Sequence, residues 1–268
     1  MLWIVQKDVR AQNQQYDLVH VLNRLGIEYI EVDVAKGRLD PEVVVAPGER
    51  VLTNGSIMLS NIARDRGWEP GSLFGENFTY NAWSKEYSEM ILNKDATVCL
   101  LKDAKPLADK MFARPVLDNK TFNGRVFQRE EFLEFQRKCI GGDAGFPRAD
   151  TEILISAPKK IGQEHRHYIV DGKIISSSRY KLAGLANFAE GADEAVLELA
   201  RAAISRWTPA RAFVMDTYVS GDEVGIVEIG CICHAGIYDA DLMCIVDALD
   251  SMPLEMDRSV LLYQKRHE

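Results

Sequence analysis

An α+β protein, mainly antiparallel and preceded by a small α/β lobe, is what the sequence predicts, and three observations predict it. Short apolar runs alternate with an amphipathic stretch over the first third of the chain. From "TVCLL" onward the texture changes to β-rich runs joined by turn residues, and two stretches with helical spacing interrupt those runs.

In order, "LWIV" reads as a strand and residues 13–25 as a helix with Tyr16, Val19, Leu22 and Leu25 inward. "IEYIEVDV" and "EVVVAPG" follow as strands, a βαβ pattern, and "NAWSKEYSEMILN" reads as a further helix. This predicts an N-terminal α/β lobe over residues 1–95 and a second region over 96–268. There, "RHYIVDGKIISSS" carries Asp171-Gly172 between β-rich runs, a strong hairpin signal. "QREEFLEFQRK" and "DEAVLELARAAISRW" are the two helices, the latter with Val196, Leu199, Ala203, Ile204 and Trp207 at helical spacing. No internal repeat, low-complexity tract or long linker stands out.

With 268 residues, 47% hydrophobic and 27% charged, the chain is long enough for a substantial core. No apolar stretch approaches the roughly 20 residues of a membrane span, and "MLWIV" runs directly into polar residues, unlike a signal peptide. The net charge of −8 argues against a broad nucleic-acid or membrane footprint. Five scattered cysteines suggest no disulfide framework. A cytoplasmic protein is the expectation.

"GIVEIGCICHAG" places Glu228 inside an apolar strand, where a lone carboxylate is costly to desolvate. Upstream, "AFVMDTYVSGDEV" carries one interior acid, Asp216. A three-residue loop of Gly221, Asp222 and Glu223 sets Ser220 opposite Val224, Tyr218 opposite Ile226 and Asp216 opposite Glu228, about 5 Å apart on one face. A four-residue loop puts the acids on opposite faces. Adjacent like charges repel, so this register calls for a shared cation or one protonated acid, and a hard ion such as Mg²⁺ fits. On the same logic, neutralising either acid is expected to leave the metal-free protein as stable or slightly more so.

Elsewhere, "ARPVLDNKTFNGRVF" mixes Arg114, Lys120 and Arg125 with aromatics and Gly124, suited to phosphate oxygens, although basic residues near turns are commonly solvated surface. In "QEHRHYIV", alternation puts Glu164, Arg166 and Tyr168 on one face and His165 and His167 on the other. His-x-His as a metal pair needs two further ligands. Cys231, Cys233 and His234 make only half a zinc cluster with the wrong spacing, and read as small buried thiols at a strand end. There is no P-loop and no G-x-S-x-G.

Taken together, the Arg-Pro and Lys of "ARPVLDNKTFNGRVF", the Glu-x-Arg of "EHRHYIV", Asp216 in "FVMDTYV" and Glu228 in "VEIGCICHAGIY" resemble, in order and spacing, the ATP-grasp fold. The match is to the subgroup named for two arginines and a lysine, common in phage and bacterial genomes, and spans roughly residues 50–245. "NFTYNAWSKEYSEMILN" also resembles that subgroup's pre-core segment. The resemblance implies two α+β lobes enclosing ATP. Arg114 and Lys120 would contact phosphates, Arg166 would steady phosphates or an acyl intermediate, and Asp216 and Glu228 would hold Mg²⁺. Residues near Ile155 and Ser156 would form the hinge against adenine. The family usually closes its metal site with Glu-x-Asn, whereas Gly230 stands here at the third position.

The implied activity is an ATP-dependent carboxylate–amine ligase acting through an acyl phosphate, with small-molecule or peptide substrates and, by analogy alone, a homodimeric assembly. The alternatives are an ATP-grasp relative that binds nucleotide with weak or lost catalysis, for which Gly230 speaks, and a structural or interaction protein.

Overall fold

The computed structural model describes residues 1–7, 12–117 and 121–253. The first sheet has the order β3-β2-β1-β4-β5, from β1 (Leu2–Gln6), β2 (Tyr29–Ala35), β3 (Arg38–Asp40), β4 (Val51–Asn54) and β5 (Pro70–Gly71). β1 pairs in parallel with both β2 and β4, and α1 (Gln12–Leu25) connects β1 to β2. α1 buries Leu18, Val21 and Leu22 in the core, whereas Val19 is only partly buried; the side chain of Tyr16 lies outside the description.

"EVVVAPG" is not a strand. Val43 anchors a loop in the core, its carbonyl accepts from Arg66 Nη1 at 2.9 Å, and Val44 is 90% exposed. The carbonyl thus finds a side-chain partner in place of a ladder, and the parallel strand forms at Val51–Asn54 instead. After α2 (Ile57–Asp65), the next helix, α3 (Tyr80–Tyr87), gives way to a 3₁₀ turn at Ser88–Met90, so it is shorter than its sequence pattern suggests.

The second sheet, order β6-β9-β7-β8, is antiparallel: β6 (Thr97–Leu100), β7 (Lys110–Pro115), β8 (Arg125–Gln128) and β9 (Glu152–Ser156). α4 (Arg129–Gly141) ends on Gly142, whose φ of 74° closes the last turn as a left-handed cap. Met111, Phe127, Phe132 and Ile153 form a separate core beneath this sheet.

The third sheet, order β12-β11-β10-β13-β14, is likewise antiparallel. It comprises β10 (Gln163–Val170), β11 (Lys173–Leu182), β12 (Leu185–Glu190), β13 (Ala212–Ser220) and β14 (Glu223–Gly230). Asp171 and Gly172, at φ 45° and 75°, make the tight β10–β11 turn that the Asp-Gly pair signals. α5 (Glu194–Arg206) packs on β13 and β14, and α6 (Leu242–Asp250) on β10, β11 and α1.

Asp216 does pair with Glu228, but not through a three-residue loop. The turn is one residue shorter: Ser220 faces Glu223, Tyr218 faces Gly225 and Thr217 faces Ile226. The register then slips by one, leaving Val227 as an extra residue, and this bulge brings Glu228 opposite Asp216.

Candidate active site

A cavity of about 590 Å³ opens between the second and third sheets. β7, β8 and the loop joining them line one side, all five strands of the third sheet the other, with Leu92, Asn93, Lys159 and Ile161 at the edge. The volume suits a drug-sized or nucleotide-sized ligand. Among the described residues its lining carries five basic side chains (Arg114, Arg125, Lys159, Arg166, Lys181) and three acidic ones (Glu164, Asp216, Glu228). Arg125 and Lys159 also pair, with Glu131 at 2.9 Å and Asp95 at 2.7 Å, so the basic groups that face the cavity are ones an anionic occupant can draw from their carboxylates.

At the centre is a row across three strands. Arg166 on β10 lies opposite Asp216 on β13, which lies opposite Glu228 on β14. Arg166 Nε donates to Asp216 Oδ1 and Nη2 to Oδ2, each at 2.7 Å, a bidentate fork. Arg114, reaching over from β7, sets Nη2 3.4 Å from Glu228 Oε1. The cations that make the adjacent acids tolerable are therefore two guanidiniums. This removes the premise that neutralising either acid merely relieves repulsion, since each charge has an opposite partner.

Arg166 is also held by aromatic faces. Its guanidinium lies 5.0 Å from the Tyr238 ring centre and 5.7 Å from that of Tyr180, and Nη1 donates to the Gly236 carbonyl at 3.3 Å. Tyr180 and Tyr238 stack at 4.9 Å, and Phe188 adds a third ring 5.5 Å from Tyr238. Burial opposes the charge on Arg166, but the Asp216 carboxylate outweighs it and holds the guanidinium protonated well above its ordinary range.

Tyr180 Oη donates to Glu164 Oε2 at 2.7 Å and lies 3.2 Å from Asp216 Oδ2, while Lys181 Nζ sits 3.1 Å from Glu164 Oε1. Burial, with the Asp216 and Glu164 charges, pushes the Tyr180 hydroxyl well above its ordinary pKa, so it remains a donor.

Of the residues singled out in the sequence, Arg114, Arg166, Asp216 and Glu228 meet in this cavity. Lys120 lies outside the described residues. Ile155 and Ser156 are buried in β9 and do not line the cavity; Ser156 Oγ donates to Asn93 Oδ1 at 3.1 Å, and Lys159 and Ile161 just beyond them do line it. Gly124 passes so close to β7 that a Cβ there would sit 3.0 Å from Arg114 Cβ, which keeps the loop against the arginine.

His165 and His167 occupy the opposite face of the sheet. His167 bonds Ser177 and Thr217 through its two ring nitrogens at 2.8 and 2.9 Å, as a core histidine does. Cys231 and Cys233 are buried, with Cys231 Sγ 3.0 Å from the Ser72 carbonyl. Among the described residues no group of three or more His, Cys, Asp or Glu side chains could hold a metal, and no helix is long and apolar enough to cross a membrane. Asp216 and Glu228 still fit Mg²⁺, which takes one or two carboxylates and completes its shell with phosphate oxygens and water. Tyr180, Lys181, Phe188 and Tyr238 were not singled out in the sequence. Their aromatic and basic character, common on strands and turns alike, gave no specific signal there.

Two antiparallel sheets that enclose a basic cavity with paired carboxylates, behind a mostly parallel α/β sheet, define an ATP-grasp protein. The chain belongs to a family of ATP-grasp domains, family 3 of its clade, whose model matches residues 57–249, more than half its length. Among solved structures it is similar in fold to the D-cycloserine synthetase DcsG, at 13% identity and a TM-score of 0.59, covering 93% of this chain and 98% of that one. It is also similar to D-alanine–D-alanine ligase from Bacillus anthracis complexed with ATP, at 11% identity and TM-score 0.55, covering 93% and 91%. A third is the ATP-grasp ligase PsnB complexed with a phosphomimetic variant of its minimal precursor, Mg and ADP, at 13% identity and TM-score 0.54, covering 93% and 97%. No curated protein sequence matches the chain.

Proposed function

We propose that the protein is an ATP-dependent ligase that joins a carboxylate to an amine. The observation that carries this reading is the row Arg166, Asp216 and Glu228, with Arg114 at its end, inside a cavity lined by paired basic and acidic groups. Similar folds solved with ATP, or with Mg and ADP, support the ligand class. On this reading residues 1–95 form the N-terminal lobe and residues 96–268 the lobes that hold the nucleotide.

In the first step a substrate carboxylate oxygen bonds to the γ-phosphorus of ATP and the bond to the β–γ bridging oxygen breaks, releasing ADP. In the second, the amine nitrogen bonds to the acyl carbon, the carbon–oxygen bond to phosphate breaks, and the nitrogen gives up a proton. Arg166 and Arg114 orient phosphate oxygens and balance their charge, with Lys120 assigned the same task by its place in the motif. Glu164, steadied by Lys181, keeps Tyr180 in place. The strand end at Ile155 and Ser156 leads into the edge where we place the adenine. Mg²⁺, when bound by Asp216, Glu228 and phosphate oxygens, supplies further neutralisation of the transferred phosphoryl group.

Gly230 favours one second reading, nucleotide binding without turnover, because it brings no oxygen where the family usually has Asn. Two assays separate the readings. ADP release dependent on an amino-acid or short-peptide panel supports the ligase; Mg-ATP binding by calorimetry with no release across the panel supports the binder; no binding at all rejects both.

A further inference from the structure

A chain of partners runs through the site: Lys181, Glu164, Tyr180, Asp216, Arg166. The two oxygens of Asp216 are not equivalent within it. Among the described residues Oδ1 has a single partner, Arg166 Nε at 2.7 Å, whereas Oδ2 accepts from Arg166 Nη2 at 2.7 Å and also faces Tyr180 Oη at 3.2 Å. Tyr180 has one proton to give, and at rest the shorter contact, 2.7 Å, goes to Glu164. Glu164 has Lys181 as a second donor, so it can release that proton without being left unpaired in a site only 7% exposed.

We propose that Tyr180 is a positioning residue: when Arg166 turns from Asp216 to a phosphate, the Tyr180 hydroxyl swings to Asp216 Oδ2 and fixes the carboxylate with Oδ1 presented to the divalent cation. The inference rests on the ligase reading only in requiring that Arg166 meets phosphate and Asp216 meets the cation. The Tyr180 ring is already clamped by its 4.9 Å stack on Tyr238, so the hydroxyl proton turns on a fixed ring. An outer hydrogen-bond partner of this kind typically sets metal affinity by 10-fold to 100-fold.

The test is Tyr180→Phe, which keeps the ring stack and removes the hydroxyl. Calorimetry with ADP, titrated with and without Mg²⁺, should show a Mg²⁺ requirement raised roughly 10-fold or more, beyond any change in metal-free ADP binding. Lys181→Met, at a side chain 43% exposed, should shift the Mg²⁺ requirement the same way, because Glu164 then keeps the Tyr180 proton. A parental Mg²⁺ requirement in Tyr180→Phe, with or without a lower melting temperature, makes the hydroxyl merely structural. If Tyr180→Phe does not fold, a parental requirement in Lys181→Met overturns the proposal by itself. Asp216→Asn separates the two levels: if it too leaves Mg²⁺-dependent ADP binding unchanged, the functional reading fails first; if it abolishes that dependence while Tyr180→Phe does not, only the positioning role fails.

Discussion

Arg166 grips Asp216 through two parallel hydrogen bonds of 2.7 Å between adjacent strands, with both side chains largely out of solvent. Removing one partner of such a pair leaves the other charge buried and poorly compensated. Asp216→Asn is therefore predicted to lower the stability of the nucleotide-free protein by roughly 3 kcal/mol and to remove Mg²⁺-dependent nucleotide binding. Thermal melts and calorimetry check the two halves; a variant that melts with the parent contradicts the first. Arg166→Lys is predicted to share both losses, because an ammonium cannot reproduce the fork.

Glu228 contrasts with its neighbour. Its side chain is 36% exposed and its contact to Arg114 is a single 3.4 Å approach. Glu228→Gln should change apo stability by less than about 1 kcal/mol while sharply weakening Mg²⁺-dependent binding. Equal destabilisation by Glu228→Gln and Asp216→Asn in denaturant melts would show that the two acids are not so differently held.

Gly230 lies two residues beyond Glu228 on β14, and a Cβ there meets only Val214 Cγ2, at 3.3 Å, a methyl that can shift slightly. Gly230→Asn should fold and should add an oxygen donor beside the acids. The expected outcome is a lower Mg²⁺ requirement for nucleotide binding and, if a substrate is in hand, faster ADP release. An unchanged Mg²⁺ titration would mean that Gly230 does not limit the site.

Acid should weaken the fold from the far face of the same sheet. Burial, aided by neighbouring His165, lowers His167 from 6.5 to about 4. The unfolded chain therefore takes up a proton that the folded protein refuses, and stability present above about pH 6.5 is lost as pH falls toward 4, by roughly 3 kcal/mol for this one group. His165 shifts in the same direction, chiefly through burial. His167→Gln should be less stable at neutral pH yet show a shallower fall between pH 6.5 and 4 in urea melts; an unaltered slope would assign the acid sensitivity to other groups.

Much of this was readable locally. The Asp171-Gly172 turn, the helices over α4 and α5 and the antiparallel texture follow from short-range patterns that the tertiary structure does not override. The pairing of Asp216 with Glu228 was also readable, since both lie on one hairpin, but the route was not: nothing in "GIVEIG" marks Val227 as an extra residue. The fork between Arg166 and Asp216 joins residues 50 positions apart, and strand order across such a gap leaves no local trace. Tyr180 and Tyr238 were missed for the same reason, for their importance comes from each other and from Arg166. The β propensity of "EVVVAPG" makes no strand, because the Val43 carbonyl finds Arg66 in place of a ladder partner.

The bulge at Val227 carries one more consequence. As folded, a short turn plus one extra strand residue brings the two acids face to face; a turn longer by one residue with an even ladder would do so equally well. The hairpin tip can therefore lose a residue, the ladder straightening to absorb it, without the acids parting. Variation in length at Gly221 and Asp222 is thus uncoupled from the chemistry a few residues below, which gives the outer end of this hairpin freedom to diverge while its inner end stays fixed.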